Sequence, residues 1–171
     1  MEHAGFYRCF IKNFSSISKP LTNLLQKSVP FVFNDECKAA FEKLKRALLT
    51  AHVVIPPNWS QPFEVICETD DDAVSAVLGQ REGNKFNIIY YASHTLTEAQ
   101  RNYAKNDREL YAVIFACEKF RPYITDTKVL FYTDRQAIKE VLNNKESRPR
   151  WVRWSLLLQE FDRERSWIVR R

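Results

Sequence analysis

The chain has 171 residues, of which 45% are hydrophobic and 13% aromatic, with only three glycines. This composition is typical of a globular protein and excludes a disordered chain, which has too few apolar residues to fold. No apolar run approaches the ~20 residues that cross a bilayer, and the N-terminus lacks the pattern of a signal peptide. The four cysteines form no Cys-x-x-Cys pair, so neither a zinc site nor a disulfide framework is predicted. We therefore expect an intracellular protein without a membrane partner, in either the cytoplasm or the nucleus.

The net charge of +5 is unevenly distributed along the chain. Residues 1–61 sum to +4, residues 62–144 to −3 and residues 145–171 to +4. An acidic centre between two basic segments suits a cation site beside surfaces that bind the phosphates of a polyanion. On charge alone, ordinary solubilising charge explains the pattern equally well.

Residues 1–55 are predicted to form a small helical segment. Apolar residues recur there at helical spacing in stretches separated near Pro20 and Pro30, which indicates two or three helices. Residues 56–62 are proline-rich and polar, and they are the predicted linker. Residues 63–171 then form the second predicted domain.

The second domain begins with short runs of β-branched and aromatic residues, which predict a three-stranded meander. The runs are Phe63–Cys67, Ala73–Leu78 and Phe86–Ala92. A capping box opening at Thr97 begins a long helix that stops near Pro122.

The rest of the chain alternates between strands and helices. Val129–Thr133 is a fourth strand, and a second capping box at Thr133 opens a helix. A further helix begins near Pro149, and Phe161–Val169 is a fifth strand. The order βββαβααβ predicts an α/β fold with a mixed five-stranded sheet flanked by helices.

Three acidic residues stand where apolar segments end. Glu68 and Asp134 directly follow predicted strands, and Glu109 borders the apolar stripe of the long helix. Hard cations such as Mg²⁺ take oxygen ligands, often one or two carboxylates with retained waters. The pattern therefore predicts a divalent-metal site at Glu68, Glu109 and Asp134, with Asp70 as an additional candidate ligand. Solvated turns and helix caps are the alternative explanation.

Three arginines near the C-terminus are candidates for binding phosphates. Arg148, Arg150 and Arg153 lie outside the apolar stripe that carries Trp151 and Trp154. We expect the arginines to contact a nucleic-acid backbone and the tryptophans to pack in the core.

A series of motifs extends this interpretation to a known family. In chain order the motifs are Phe63–Gln80, Ile88–Ser93, Asn102–Ala104, Arg108–Val113, Phe131–Asp134 and Arg150–Trp154. Together they closely resemble the RNase H domain of gypsy-type LTR retrotransposon polyproteins. Shorter motifs in residues 5–45 resemble the thumb and connection region of the reverse transcriptase in the same polyproteins. The resemblance implies an RNase H-like fold preceded by a thumb and connection remnant, and lacking the last helix of the family.

The resemblance also implies a reaction. Members of this family are endonucleases, hydrolases that cleave the RNA strand of RNA–DNA hybrids with two Mg²⁺ ions, and Mn²⁺ is a candidate substitute. Glu109 and Asp134 match metal-binding residues of the family, whereas Glu68 stands where the family has aspartate. One extra methylene displaces that carboxylate, and a misplacement of ~1 Å can cost about a hundredfold in rate. The altered ligand, together with the absent C-terminal aspartate of the family, implies weak or lost turnover.

Two other interpretations remain open at this point. The chain could be a non-catalytic transposon fragment that binds nucleic acid or a partner such as a separate reverse transcriptase polymerase domain. It could also be a decayed reading frame. No Tyr-x-Asp-Asp motif occurs, so polymerase activity is not expected.

Overall fold

The structure, a computed structural model, describes residue 5 and residues 7–50, 55–133, 149–160 and 165–169. The helix predicted after Thr133 lies outside the described residues, and so do the site residues Asp134 and Arg148. In the part that is described, no helix is long and apolar enough to cross a membrane.

The N-terminal segment is helical, as predicted. It contains a 3₁₀ helix, Tyr7–Phe10, and two α-helices, α1 (Phe14–Asn23) and α2 (Asp35–Leu49). The side chain of Asn34 accepts a hydrogen bond from the backbone N–H of Cys37 at 3.0 Å and caps α2. The two α-helices and the residue after the 3₁₀ helix share one small buried cluster: Ile11, Phe14, Leu21, Cys37, Ala40 and Leu44.

The expected helix break at Pro20 is wrong. Helix α1 runs through Pro20 and ends at Asn23. A proline inside a helix removes one backbone hydrogen bond and its ring crowds the carbonyl of the preceding turn, so it needs compensating contacts. The contacts of Phe14 and Leu21 with the buried cluster hold the helix on both sides of it.

The sheet begins with an antiparallel meander of β1 (Phe63–Thr69), β2 (Ala73–Glu82) and β3 (Lys85–Thr95). Two further strands, β4 (Val129–Thr133) and β5 (Arg165–Val169), run parallel to β1. The strand order is β3-β2-β1-β4-β5. The predicted mixed α/β sheet flanked by helices is confirmed, and β3 is one of its edge strands.

A register shift in the meander explains one glycine. The β2–β3 pairing is irregular at Leu78 and Gly79. A Cβ atom on Gly79 would lie 2.4 Å from the ring of Phe86 and 2.5 Å from the carbonyl oxygen of Asn87. Only glycine therefore fits at this close approach of the two strands.

Three described helices follow the meander: α3 (Glu98–Arg101), α4 (Lys105–Ile124) and α5 (Pro149–Glu160). The predicted capping box is present, since Thr97 and Gln100 exchange side-chain to backbone hydrogen bonds. The prediction of one uninterrupted helix from this box is wrong. Residues 102–104 separate α3 from α4, and α4 packs across β1 and β2.

The two faces of the sheet have different neighbours. Alternate β1 residues, among them Val65 and Cys67, join the core cluster that includes the buried face of α4. Glu68 has the opposite phase and so belongs to the other face. There it forms a cross-strand row with Ser75 on β2 and Ser93 on β3.

The N-terminal segment docks beside this row. The backbone N–H of Ser15 donates a hydrogen bond to the hydroxyl oxygen of Ser93 at 2.9 Å, and the two hydroxyl oxygens are 3.1 Å apart. The domain limits predicted at residues 55 and 62 stay a prediction. The structure adds that the helical segment contacts the face of the sheet that carries Glu68.

Candidate metal site and its surroundings

Glu68 lies near the C-terminal end of β1, with its side chain 33% exposed. The ammonium of Lys12 is 3.2 Å from its Oε1 and 3.0 Å from its Oε2. A cation from the N-terminal segment therefore contacts both oxygens of the first predicted metal ligand. Nothing in the sequence indicated this pair, because 56 residues separate its two members.

The turn between β1 and β2 is built by three successive aspartates. Oδ1 of Asp70 accepts hydrogen bonds from the backbone N–H groups of Asp72 at 2.8 Å and Ala73 at 2.6 Å, which makes an Asx-type turn. This turn role accounts for one oxygen of Asp70, and its role as a metal ligand stays a prediction. Asp72 pairs with Lys19 and Arg101. The hydrogen bond from Lys19 holds the pKa of Asp72 below its usual value.

Glu109 lies on α4 with its side chain only 14% exposed, and Lys105 Nζ is 3.8 Å from its Oε1. The preceding residue, Arg108, donates a hydrogen bond to Asp71 at 3.0 Å. That contact brings the first turns of α4 beside the β1–β2 turn. Glu68 and Glu109 are therefore carried by neighbouring elements near one end of the sheet, with Glu68 on the face opposite α4.

The third predicted ligand, Asp134, lies outside the described residues. It directly follows Thr133, where β4 ends parallel to β1. Among the described residues, no group of three or more His, Cys, Asp or Glu side chains could hold a metal ion. The complete site of Glu68, Glu109 and Asp134 thus stays a prediction.

Arg150 is engaged within the protein. Its guanidinium forms a salt bridge with Asp107, whose side chain is 2% exposed, and lies 4.3 Å from the ring centroid of Tyr103. The indole N–H of Trp151 donates to the second oxygen of Asp107 at 3.0 Å. Arg150 therefore links α5 to α4, whereas Arg153 is exposed on α5. Phosphate binding by these arginines stays a prediction.

Asp107 is a structural residue that sequence reasoning missed. It shares the helical phase of Leu110 and Ile114, which are both buried on α4. That phase was the available signal, since an acidic residue on an apolar stripe requires a buried cationic or hydrogen-bonding partner. The predicted core role of Trp154 is confirmed, since it is buried in the main cluster.

The sheet is an antiparallel meander followed by a parallel strand, and a helix packs across it. Carboxylates lie at the end of β1 and on that helix. These features define an RNase H-like protein. The chain belongs to the family described as the RNase H-like domain found in reverse transcriptase, whose model matches residues 58–161.

Curated relatives support this assignment. The chain is 32% identical over 158 residues to the retrovirus-related Pol polyprotein from transposon 412 of Drosophila melanogaster, covering 92% of this chain and 13% of the relative. It is 34% identical over 167 residues to the transposon Tf2-3 polyprotein of Schizosaccharomyces pombe, covering 94% and 12%. The chain thus corresponds to a small part of each polyprotein.

Solved structures show the same fold. The foamy viral protease-reverse transcriptase in complex with dsDNA matches with a TM-score of 0.82 and 20% identity, covering 98% of this chain and 36% of that one. The same protein in complex with an RNA/DNA hybrid matches with a TM-score of 0.78 and 20% identity, covering 98% and 23%. At this identity the likeness establishes the fold alone.

Proposed function

We propose that this chain is a hybrid ribonuclease, an endonuclease that hydrolyses the RNA strand of RNA–DNA hybrids with Mg²⁺. The observation that carries the proposal is the RNase H-like sheet, with Glu68 at the end of β1 and Glu109 on α4, whose first turns contact the β1–β2 turn through Arg108 and Asp71. Similar structures were determined with dsDNA and with an RNA/DNA hybrid, which supports a nucleic-acid partner.

The donor set suits a hard cation. Carboxylate oxygens are the ligands that Mg²⁺ prefers. Glu68, Glu109 and Asp134 would hold the metal. When bound, Mg²⁺ activates a water and stabilises the leaving oxygen of a phosphodiester. Mn²⁺, which binds carboxylates similarly, is the proposed substitute.

The residues of the chain have separate roles in this proposal. Glu109, mostly buried on a helix held in the core, fixes one ligand position. The side chain of Glu68 is one methylene longer than the aspartate that the family has at this position. Glu68 is therefore a less well placed ligand than Glu109. Arg153, exposed on α5, contacts the backbone of the bound hybrid.

A second candidate function is binding of nucleic acid or of a polymerase domain without cleavage. The salt bridge between Lys12 and Glu68 favours it, because a neutralised carboxylate attracts a divalent cation less strongly. Binding in this case depends on phosphate contacts, so affinity for a hybrid is expected to fall steeply as salt rises.

A cleavage assay separates the two functions. The protein is incubated with an end-labelled RNA–DNA hybrid and Mg²⁺ or Mn²⁺, with a DNA duplex as the substrate control. We expect slow, metal-dependent cleavage of the RNA strand that is lost in Glu109→Gln and kept in Glu118→Gln, an exposed residue on the same helix. Binding of the hybrid without any cleavage would favour the second function. If the protein neither bound nor cleaved the hybrid, both proposed functions would be excluded.

A further inference from the structure

A small cavity lies at the β3 edge of the sheet, and neither Glu68 nor Glu109 lines it. It has a volume of about 100 Å³ and is enclosed by the 3₁₀ helix, β3 and α4. Its walls include Arg8, Tyr91, Ser93, His94, Phe115 and Lys119. The cavity therefore joins the N-terminal segment to the sheet.

The charge of the cavity wall is entirely positive. Arg8 comes from the 3₁₀ helix and Lys119 from α4, and no acidic residue lines the cavity. Neither cation forms a salt bridge with any residue in the ranges 7–50, 55–133 and 149–160. By contrast, each of the four cations described near Glu68 and the β1–β2 turn is paired with a carboxylate: Lys12, Lys19, Arg101 and Arg108. Two cations from separate elements that face one cavity suit an anion.

The size of the cavity restricts the anion to one small group. Pockets for drug-sized ligands measure roughly 300–1,000 Å³, several times the volume here. A guanidinium presents a planar fork of donors that matches phosphate oxygens, and an ammonium adds a compact charge. Ser93 is also part of the wall, with its hydroxyl hydrogen-bonded to Ser15.

The floor of the cavity is aromatic. Phe115 and Tyr91 are buried, and the ring of His94 stacks on Phe115 with the centroids 5.9 Å apart. Desolvation and the charge of Lys119 lower the pKa of His94, so its neutral ring can donate one hydrogen bond.

We propose that this cavity binds one phosphate group. The group is either free inorganic phosphate or a backbone phosphate of a bound nucleic acid, which offer the same oxygens to Arg8 and Lys119. The site requires neither the predicted metal ligands nor cleavage, so it stands or fails independently of the ribonuclease function.

The first test is a titration of the full chain with inorganic phosphate at constant ionic strength, followed by amide and imidazole NMR signals. We expect saturable shifts at Ser93 and His94. Arg8→Gln and Lys119→Gln should each weaken binding by about tenfold or more, because each removes one charge-assisted hydrogen bond. Lys38→Gln, an exposed lysine on α2 outside the cavity, is the matched control and should change nothing.

The second test measures metal-free binding of an RNA–DNA hybrid by the same variants. A loss in the two cavity variants beyond that in Lys38→Gln identifies a backbone phosphate as the ligand, and a response to inorganic phosphate alone identifies the free ion. Both substituted side chains are exposed, and circular dichroism confirms the fold of each variant. If neither phosphate nor hybrid distinguishes the cavity variants from the control, the proposal is overturned.

Discussion

The contact between Lys12 and Glu68 is the clearest local feature of the candidate site. Both side chains are partly exposed, at 51% and 33%, so their salt bridge contributes about 0–1 kcal/mol to folding. Its larger effect is electrostatic, because the ammonium occupies a position from which a divalent cation would contact the same two oxygens.

Replacing this lysine should therefore favour metal binding. We predict that Lys12→Met increases the affinity for Mn²⁺ severalfold, measured by the relaxation of water protons, with little change in Tm. Lys45→Met, an exposed lysine on α2, is the control. Unchanged or weaker Mn²⁺ binding in Lys12→Met would show that the two cations do not compete.

His94 gives a prediction about pH. Its pKa is lowered in the folded protein by desolvation and by the nearby Lys119. Between the folded pKa and the ordinary value of about 6.5, the unfolded chain binds more protons than the folded one, so this residue removes stability as the pH falls through that window. NMR titration should give a pKa below 6.5, and His94→Gln should lose less stability than wild type on acidification. An equal loss in both proteins would contradict this explanation.

Helices α4 and α5 are joined through Asp107. Its carboxylate is 2% exposed and is held by Arg150 and Trp151, both on α5. Arg150 is itself 35% exposed, so removing Asp107 leaves a partly solvated charge and costs about 1–3 kcal/mol, less than for a fully buried pair.

We predict that Asp107→Met lowers the free energy of unfolding by about 1–3 kcal/mol in urea denaturation, because Arg150 and the indole of Trp151 lose their hydrogen-bond acceptor. The matched control is Glu160→Met, which removes the exposed salt bridge with Arg121 and should cost about 0–1 kcal/mol. Equal costs for the two variants would mean that Asp107 does not hold the helices together.

The elements were predictable from local patterns, and the contacts between them were not. Alternation located the meander, and the side-chain pattern at Thr97 located a helix start. The non-helical residues 102–104 between α3 and α4 were not predicted, because the apolar stripe continues across them. The pairs Lys12–Glu68 and Asp107–Arg150 were missed because their members lie 56 and 43 residues apart, and no short-range signal links them.

The described residues form two buried clusters of different extent. The larger lies between the sheet, α4 and α5, and the smaller lies within the N-terminal helices. The two are connected partly through polar contacts, Ser15 with Ser93 and Lys19 with Asp72. Polar, partly exposed contacts resist local opening less than buried apolar ones.

We predict that the amide hydrogens of α1 and α2 exchange faster than those of β1, β2 and α4. Native-state hydrogen exchange measures the difference, and Ser15→Ala should enlarge it by removing a hydrogen bond between the segment and β3. Equal protection in both regions would show that they unfold as one cooperative unit.

The rate of RNA-strand cleavage in an RNA–DNA hybrid, compared between wild type and Glu68→Asp, tests the proposed function most directly. Glu68→Asp restores the aspartate that the family has at this position. Moving a misplaced carboxylate by ~1 Å can raise the rate about a hundredfold. We predict faster cleavage by Glu68→Asp with Mg²⁺, and loss of that gain when Asp134→Asn is added. A folded Glu68→Asp protein that cleaves no faster than wild type would contradict the assignment of a metal site to Glu68, Glu109 and Asp134.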